Sequence, residues 1–213
     1  MSSNGRDSRR VGGGSLATIY DHKCTQCPLH KTATTVCVSA RGSTKQRAMV
    51  IGEAPGANED RRGVPFVGQA GRVLDRALRE AFISEFAPDE IFITNVVKCR
   101  PPANRDPLPA EIDACFSYLN EELQAVDPIA LLVLGNVAAS ALRLETSYLG
   151  ITRTRGRWTS IEREEHEDVP VMPTFHPAFV LYQGGIGSQA WEIFSDDVTL
   201  FANLVIARYE NVS

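Results

Sequence analysis

The chain has 213 residues, 43% of them apolar and 23% charged, a composition that fits a folded globular domain and excludes fibrous or disordered protein. Its formal charge of −4, from 22 basic and 26 acidic residues, excludes a broad electrostatic grip on nucleic acid, so any such contact must rest on local basic segments. No apolar run approaches the roughly 20 residues of a membrane span.

Residues 1–15 are polar and Gly-rich, with Arg6, Arg9 and Arg10, and read as a flexible tail without the apolar middle of a secretory signal. Residues 16–213 then read as one domain, expected in the cytoplasm. Early in that domain Cys24 and Cys27 form a C-x2-C pair. A first strand is expected over residues 48–51, running into Gly52-Glu53-Ala54-Pro55-Gly56. After the turn-rich segment Gly63-Val-Pro-Phe66-Val-Gly68 comes a helix over 71–86, where Val73, Leu74, Ala77, Leu78, Ala81 and Phe82 recur at helical spacing.

A second strand, 91–94, leads into Asn95 and then Lys98-Cys99-Arg100-Pro-Pro. Pro109 opens a helix to about residue 125. A third strand, 129–134, is continuously apolar, as in a strand covered on both faces. Asn136 is expected to cap a helix over 136–144. Residues 149–163 read as a small hairpin or excursion. The fourth strand, 169–174, runs into Phe175-His176-Pro177, and a last helix spans about 189–208. Strands alternating with helices predict a four-stranded, largely parallel sheet with helices on both faces.

The unusual residues all fall at the carboxyl ends of strands, the edge at which parallel sheets form ligand crevices. Gly52, Glu53 and Ala54 follow the first strand, Asn95 the second and His176 the fourth. A carboxylate at Glu53 can act on water or face a developing cation, or simply bond turn amides. Asn95 offers an acceptor and donors to a base edge, or caps the next turn. His176 can donate to an oxygen gaining negative charge, or be structural. Phe66 is a core plug or a stacking platform. Glu59 and Asp60 can cap the segment that follows. Local positive charge sits at Lys98, Arg100 and Arg105 and at Arg153, Arg155 and Arg157, with acidic residues clustered over 162–168.

Cys99 and Cys115, 16 positions apart, can complete a tetrathiolate site with Cys24 and Cys27; zinc and an iron–sulfur cluster both fit four thiolates. Either would be structural. Cys37 is left over as a buried or free thiol. Five cysteines with no secretion signal suit metal binding better than disulfides.

Six segments in order resemble the family 4 uracil-DNA glycosylases, the iron–sulfur branch of that superfamily. They are Cys24-x-x-Cys27-Pro-Leu-His, Gly52-Glu-Ala-Pro-Gly-Ala-Asn-Glu-Asp60, Gly63-Val-Pro-Phe-Val-Gly-Gln-Ala-Gly71, Thr94-Asn95, Lys98-Cys-Arg-Pro-Pro-Ala-Asn-Arg105 and Thr174-Phe-His-Pro-Ala178. The resemblance implies a three-layer αβα sandwich and a [4Fe–4S] cluster, in preference to zinc, on Cys24, Cys27, Cys99 and Cys115. It implies a monofunctional enzyme that flips uracil out of single- or double-stranded DNA and hydrolyses its N-glycosidic bond. Phe66 would stack on the base, Asn95 read its edge, His176 bond its O2, Glu53 support the water and sugar cation, and Glu59 lie by the wall that limits bulk at C5. Lys98, Arg100 and Arg105 would meet DNA.

One segment departs from the family. After Ala178 the family carries a small residue, a leucine pair and an arginine, whereas this chain has Phe179-Val-Leu181-Tyr-Gln-Gly-Gly185. An apolar wedge survives as Phe179 or Leu181; the basic residue does not. A non-catalytic DNA-binding or partner-recruiting module on the same fold, and a glycosylase for deaminated purines, are the competing readings. A monomer is the expected state.

Overall fold

The four apolar runs form strands because each presents apolar side chains to both faces of a covered sheet. A computed structural model describes residues 19–82, 90–144, 149–163 and 167–210. The tail expected over 1–15 and the end of the helix expected over 71–86 lie outside the described residues.

Five strands make the sheet: β1 (Ala48–Gly52), β2 (Phe92–Asn95), β3 (Ala130–Leu134), β4 (Thr159–Ile161) and β5 (Val169–Thr174). Their spatial order is β2-β1-β3-β5-β4. β1 pairs in parallel with β2 and β3, β3 in parallel with β5, and β4 antiparallel with β5. The expectation of four strands is therefore one short. The fifth, β4, has three residues, half-buried or exposed, at the sheet's edge, and falls in the stretch read as a small hairpin or excursion.

Among the described residues seven α-helices lie between and after these strands: α1 (Ala57–Arg62), α2 (Gln69–Ala81), α3 (Pro109–Val126), α4 (Gly135–Ala141), α5 (Ile151–Thr154), α6 (Pro177–Tyr182) and α7 (Gln189–Glu210). Leu74 and Leu78 of α2 and Phe194, Val198 and Phe201 of α7 pack with Ala48, Val50 and Ile93 on one face. Tyr118 and Leu119 of α3 and Ala138 and Ala139 of α4 pack with Met49, Ile51, Leu131 and Val133 on the other. Successive strand residues thus point into opposite cores, which yields three layers and explains the continuous apolar runs.

Asn136 does not cap α4. That helix starts at Gly135, whose φ of +86° suits glycine, while the Asn136 Oδ1 accepts from the Ile151 amide at 2.6 Å and ties α4 to α5. Because β1 has β2 on one side and β3 on the other, the crossovers leave in opposite directions at its carboxyl end. A crevice opens there.

Candidate active site

The crevice, about 450 Å³, is lined by Glu53, Ala54, Glu59, Phe66, Asn95 and His176, with Asn104, Arg105, Asp106 and Tyr182 toward its rim. Three strand ends supply it: β1 leads into Glu53, β2 ends on Asn95, and β5 leads into His176. The sequence had placed all three at strand ends, and the structure brings them to one cavity.

Phe66 has a φ of +54°, which is strained for an aromatic residue. A carboxylate holds the strained segment in place: Oε1 of Glu59 accepts the amides of Val67 at 2.9 Å and Gly68 at 2.7 Å. The ring is 6% exposed, joins the core cluster beside α2, and also walls the crevice with its centroid 6.0 Å from that of His176. It is a core plug that also lines the crevice. Two glycines make this possible. A Cβ on Gly52 would lie 2.4 Å from Cζ of Phe66 and 2.5 Å from Oδ1 of Asn95, and one on Gly71 would lie 1.8 Å from the Phe66 carbonyl oxygen.

Asn95 is 4% exposed, and its Oδ1 is buried without a hydrogen-bond partner. An orphaned buried acceptor is costly, so a ligand donor is the natural partner for it. His176 N-caps α6: its Nδ1 accepts the Ala178 amide at 3.2 Å. An amide can only donate, so the ring's proton resides on Nε2. Burial lowers the His176 pKa to about 4, with Glu59 opposing weakly, so the imidazole is neutral at physiological pH. Burial, and after it the charge of Asp106, raises Glu53 to about 7. The crevice thus holds a neutral donor, an unpaired acceptor, an aromatic face and a carboxylate poised near neutrality.

The basic residues divide differently. Lys98 was expected to meet DNA, yet it is 1% exposed and its Nζ donates to Glu122, Thr94 and Asn95, so it cannot reach a phosphate. Arg105 faces the rim but forks onto Glu111 through bonds of 2.8 and 2.7 Å. Arg155 is paired with Asp197 and stacked over Phe175. Arg100 is part-exposed, with Nε bonded to Asn104. Phe179, Leu181 and Tyr182 stand exposed on α6 beside the crevice, Tyr182 by 87%. Asp106, Asn104 and Tyr182 were missed in the sequence. Asn104 lies inside the Lys98–Arg105 segment, where only the basic residues were singled out, while Asp106 directly follows that segment and Tyr182 follows the His-Pro segment, so reading each one for all its polar residues and a little further would have found them.

Cys24, Cys27, Cys99 and Cys115 line one small cavity at the other side of the β2 end, together with Cys37, His30 and Tyr118. Backbone amides already point at two of the sulfurs: Cys37 donates to Sγ of Cys99 at 3.4 Å and Lys98 to Sγ of Cys115 at 3.2 Å. The Lys98 amide favours the Cys115 thiolate, but burial outweighs it and the thiol is pushed up to about 12. As a donor set, four thiols lining one cavity, two of them met by backbone amides, suit a tetrathiolate-held group. Among the described residues no three His, Cys, Asp or Glu side chains stand ready to hold a metal ion.

A family model described as the uracil DNA glycosylase superfamily matches residues 40–196. The chain belongs to the uracil-DNA glycosylase superfamily. Several of its relatives are type-4 uracil-DNA glycosylases. A type-4 uracil-DNA glycosylase of Archaeoglobus fulgidus is 40% identical over 75% of this chain and 79% of its own length. The type-4 enzyme of Thermotoga maritima is likewise 40% identical, over 75% and 78%. That of Pyrobaculum aerophilum is 36% identical over 84% and 87%. The chain is therefore a type-4 member, and every crevice residue named above falls within the matched region.

Proposed function

We infer that this protein is a uracil-DNA glycosylase that hydrolyses the N-glycosidic bond of uracil in DNA and so initiates base excision repair. The observation that carries the reading is the pairing, across one crevice, of the unpartnered Asn95 Oδ1 with the Nε2–H of a neutral His176. Uracil presents the complement: an N3–H donor and, beside it, an O2 that becomes anionic as the bond breaks.

Uracil stacked in a duplex is out of reach, so it must be extruded at a cost of about a few kcal/mol, less for a mispaired base. Phe66 offers its ring face to the extruded base. Asn95 accepts from N3–H. His176 donates to O2, and a neutral donor avoids competing with the leaving group for a proton before the bond weakens. Glu53 in its carboxylate form supports the oxocarbenium-like sugar and orients water for attack at C1′. Glu59 fixes the Phe66 wall and thereby the fit against a 5-methyl group. At the mouth, Phe179 or Leu181 fills the vacated stack, and Arg100 is the basic residue best placed for the backbone. Arg105 contributes to the rim while clamped by Glu111.

Cys24, Cys27, Cys99 and Cys115 hold a [4Fe–4S] cluster in this reading, as the type-4 relationship and the four thiols lining one cavity support. When bound it supplies a covalent cross-link among the N-terminal segment, the β2 exit and α3, and no reacting atom. The protein acts as a monomer in the cytoplasm, a reducing compartment that suits five cysteines without a disulfide. Among the described residues no helix is long and apolar enough to cross a membrane.

The test is incubation of purified protein with labelled single-stranded and duplex oligonucleotides carrying one uracil, with thymine controls, beside iron and acid-labile sulfide analysis. Alkali-sensitive scission at uracil alone is expected. Tight binding without scission would instead identify a non-catalytic module, and scission at hypoxanthine alone a purine enzyme. Zinc in place of iron would overturn the cluster.

A further inference from the structure

The ammonium of Lys98 is a cation with no route to solvent: its side chain is 1% exposed and that of its partner Glu122 is 0% exposed. Nζ donates to both Glu122 oxygens, at 2.8 and 2.7 Å, to Thr94 Oγ1 at 2.7 Å and to the carbonyl oxygen of Asn95 at 2.7 Å. The Glu122 Oε1 also accepts from Thr94 Oγ1 at 2.9 Å and from the Tyr20 hydroxyl at 2.7 Å. A hydrophobic pair of similar size would fill the same volume at no penalty of desolvation. Stability therefore does not explain this pair.

Position does. β2 is the edge strand of the sheet and Asn95 is its last residue. On the inner side the strand is tied to β1, where Asn95 stands opposite Gly52 and the next amide, Val96, donates to the Gly52 carbonyl at 2.9 Å. On the outer side, among the described residues, no further strand is paired with Asn95, and its carbonyl accepts from Nζ of Lys98. Lys98 is itself anchored twice to α3: through Nζ to Glu122, and through its amide to Sγ of Cys115. Its neighbour is Cys99.

We propose that Lys98 is a positioning residue for base recognition: by pinning the Asn95 carbonyl to Glu122 on α3, it holds the Asn95 side chain at the register that accepts a pyrimidine N3–H. The inference rests on the reading that Asn95 recognises the base. It assigns the Lys98–Glu122 pair a part in affinity for uracil, separate from cluster retention, because the bond to Cys115 comes from the Lys98 backbone and survives a change of its side chain.

The experiment compares the wild-type protein, Asn95→Ala and the double variant Lys98→Met/Glu122→Met, which removes both charges together and leaves neither buried alone. The readouts are binding of free uracil, binding of an oligonucleotide with an abasic-site analogue, and the visible absorbance of the bound metal group. Misplacing a recognition group by about 1 Å costs on the order of 10- to 100-fold. Uracil binding by the double variant is expected to weaken by about that factor, with abasic-DNA binding and absorbance unchanged. Undiminished uracil binding by the double variant, with Asn95→Ala impaired, would overturn the proposal while leaving the Asn95 reading intact. Undiminished binding by Asn95→Ala would overturn both. Should the double variant fail to fold, Glu122→Gln keeps an acceptor but drops the charge. It is then expected to weaken uracil binding to an intermediate degree, and wild-type affinity would count against the proposal.

Discussion

The backbone amide of Ala178 donates to Nδ1 of His176 at 3.2 Å, which fixes the tautomer of the ring that faces the crevice. Helix α6 thus spends its first free amide on orienting the donor, which leaves Nε2–H for the crevice. His176→Ala is expected to lower single-turnover excision by about 10²–10³-fold, the usual effect of losing one donor to a developing oxyanion. Circular dichroism should show the fold retained. Because burial lowers the ring's pKa from 6.5 to about 4, its share of stability is present above about 6.5 and is lost as the pH falls through 4. Acid unfolding of the variant should accordingly be less steep in that window.

Glu53 titrates in the opposite sense. Its pKa is raised from 4.5 to about 7, first by burial and then by Asp106. The neutral acid is the form the fold favours, so its contribution to stability is complete below about 4.5 and is lost as pH rises through 7. Chemistry needs the carboxylate. Excision should rise through a limb near pH 7, and Asp106→Asn should move that limb to lower pH. Glu53→Gln should melt higher than the wild type at pH 8 and excise far more slowly. A limb that stays put in Asp106→Asn would remove Asp106 from the account.

Gly52→Ala and Gly71→Ala separate two uses of the Phe66 wall. The first methyl would meet the tip of the Phe66 ring and the Asn95 Oδ1, so uracil binding should suffer most. The second would meet the Phe66 carbonyl, a backbone atom at 1.8 Å that cannot swing aside. Overpacking of this kind costs about 1–3 kcal/mol or more. Thermal denaturation should show the larger loss for Gly71→Ala, and uracil affinity per folded molecule the larger loss for Gly52→Ala.

Glu59→Ala should free the Val67 and Gly68 amides and relax the strained Phe66. Each lost bond to a charged acceptor is worth about 1.5–3 kcal/mol, discounted here because Glu59 is only half-buried. The informative readout is selectivity. Excision of thymine relative to uracil should rise if the wall softens, and equal loss for both bases would limit Glu59 to stability.

Much of this was legible because strands β1, β2, β3 and β5 are buried almost throughout and so carry apolar runs. The site residues followed from being polar where such runs end. β4 left little trace, since a three-residue edge strand with half-exposed side chains needs no apolar pattern. Asn136 reads as a cap but serves Ile151, because side-chain partners across 15 residues are not written in local spacing. Charge misled most. Lys98 and Arg105 look alike beside Cys99 and Asn104, yet one is sealed against Glu122 and the other clamped at the rim by Glu111. Only the packing of α3 distinguishes them.

The order of the strands also sets a timetable. Glu53 and Asn95 leave the ribosome with the first half of the chain, but His176 follows β5, which docks on β3 and is covered by α7. Synthesis proceeds from the amino end, and contacts between distant segments form only once both exist. On the proposed reading, a nascent chain therefore presents the residues assigned to grip the base long before it owns the one assigned to help release it. Translation must pass β5 and α7 before the protein can cut anything, and a chain broken ahead of Val169 is left a reader without a blade.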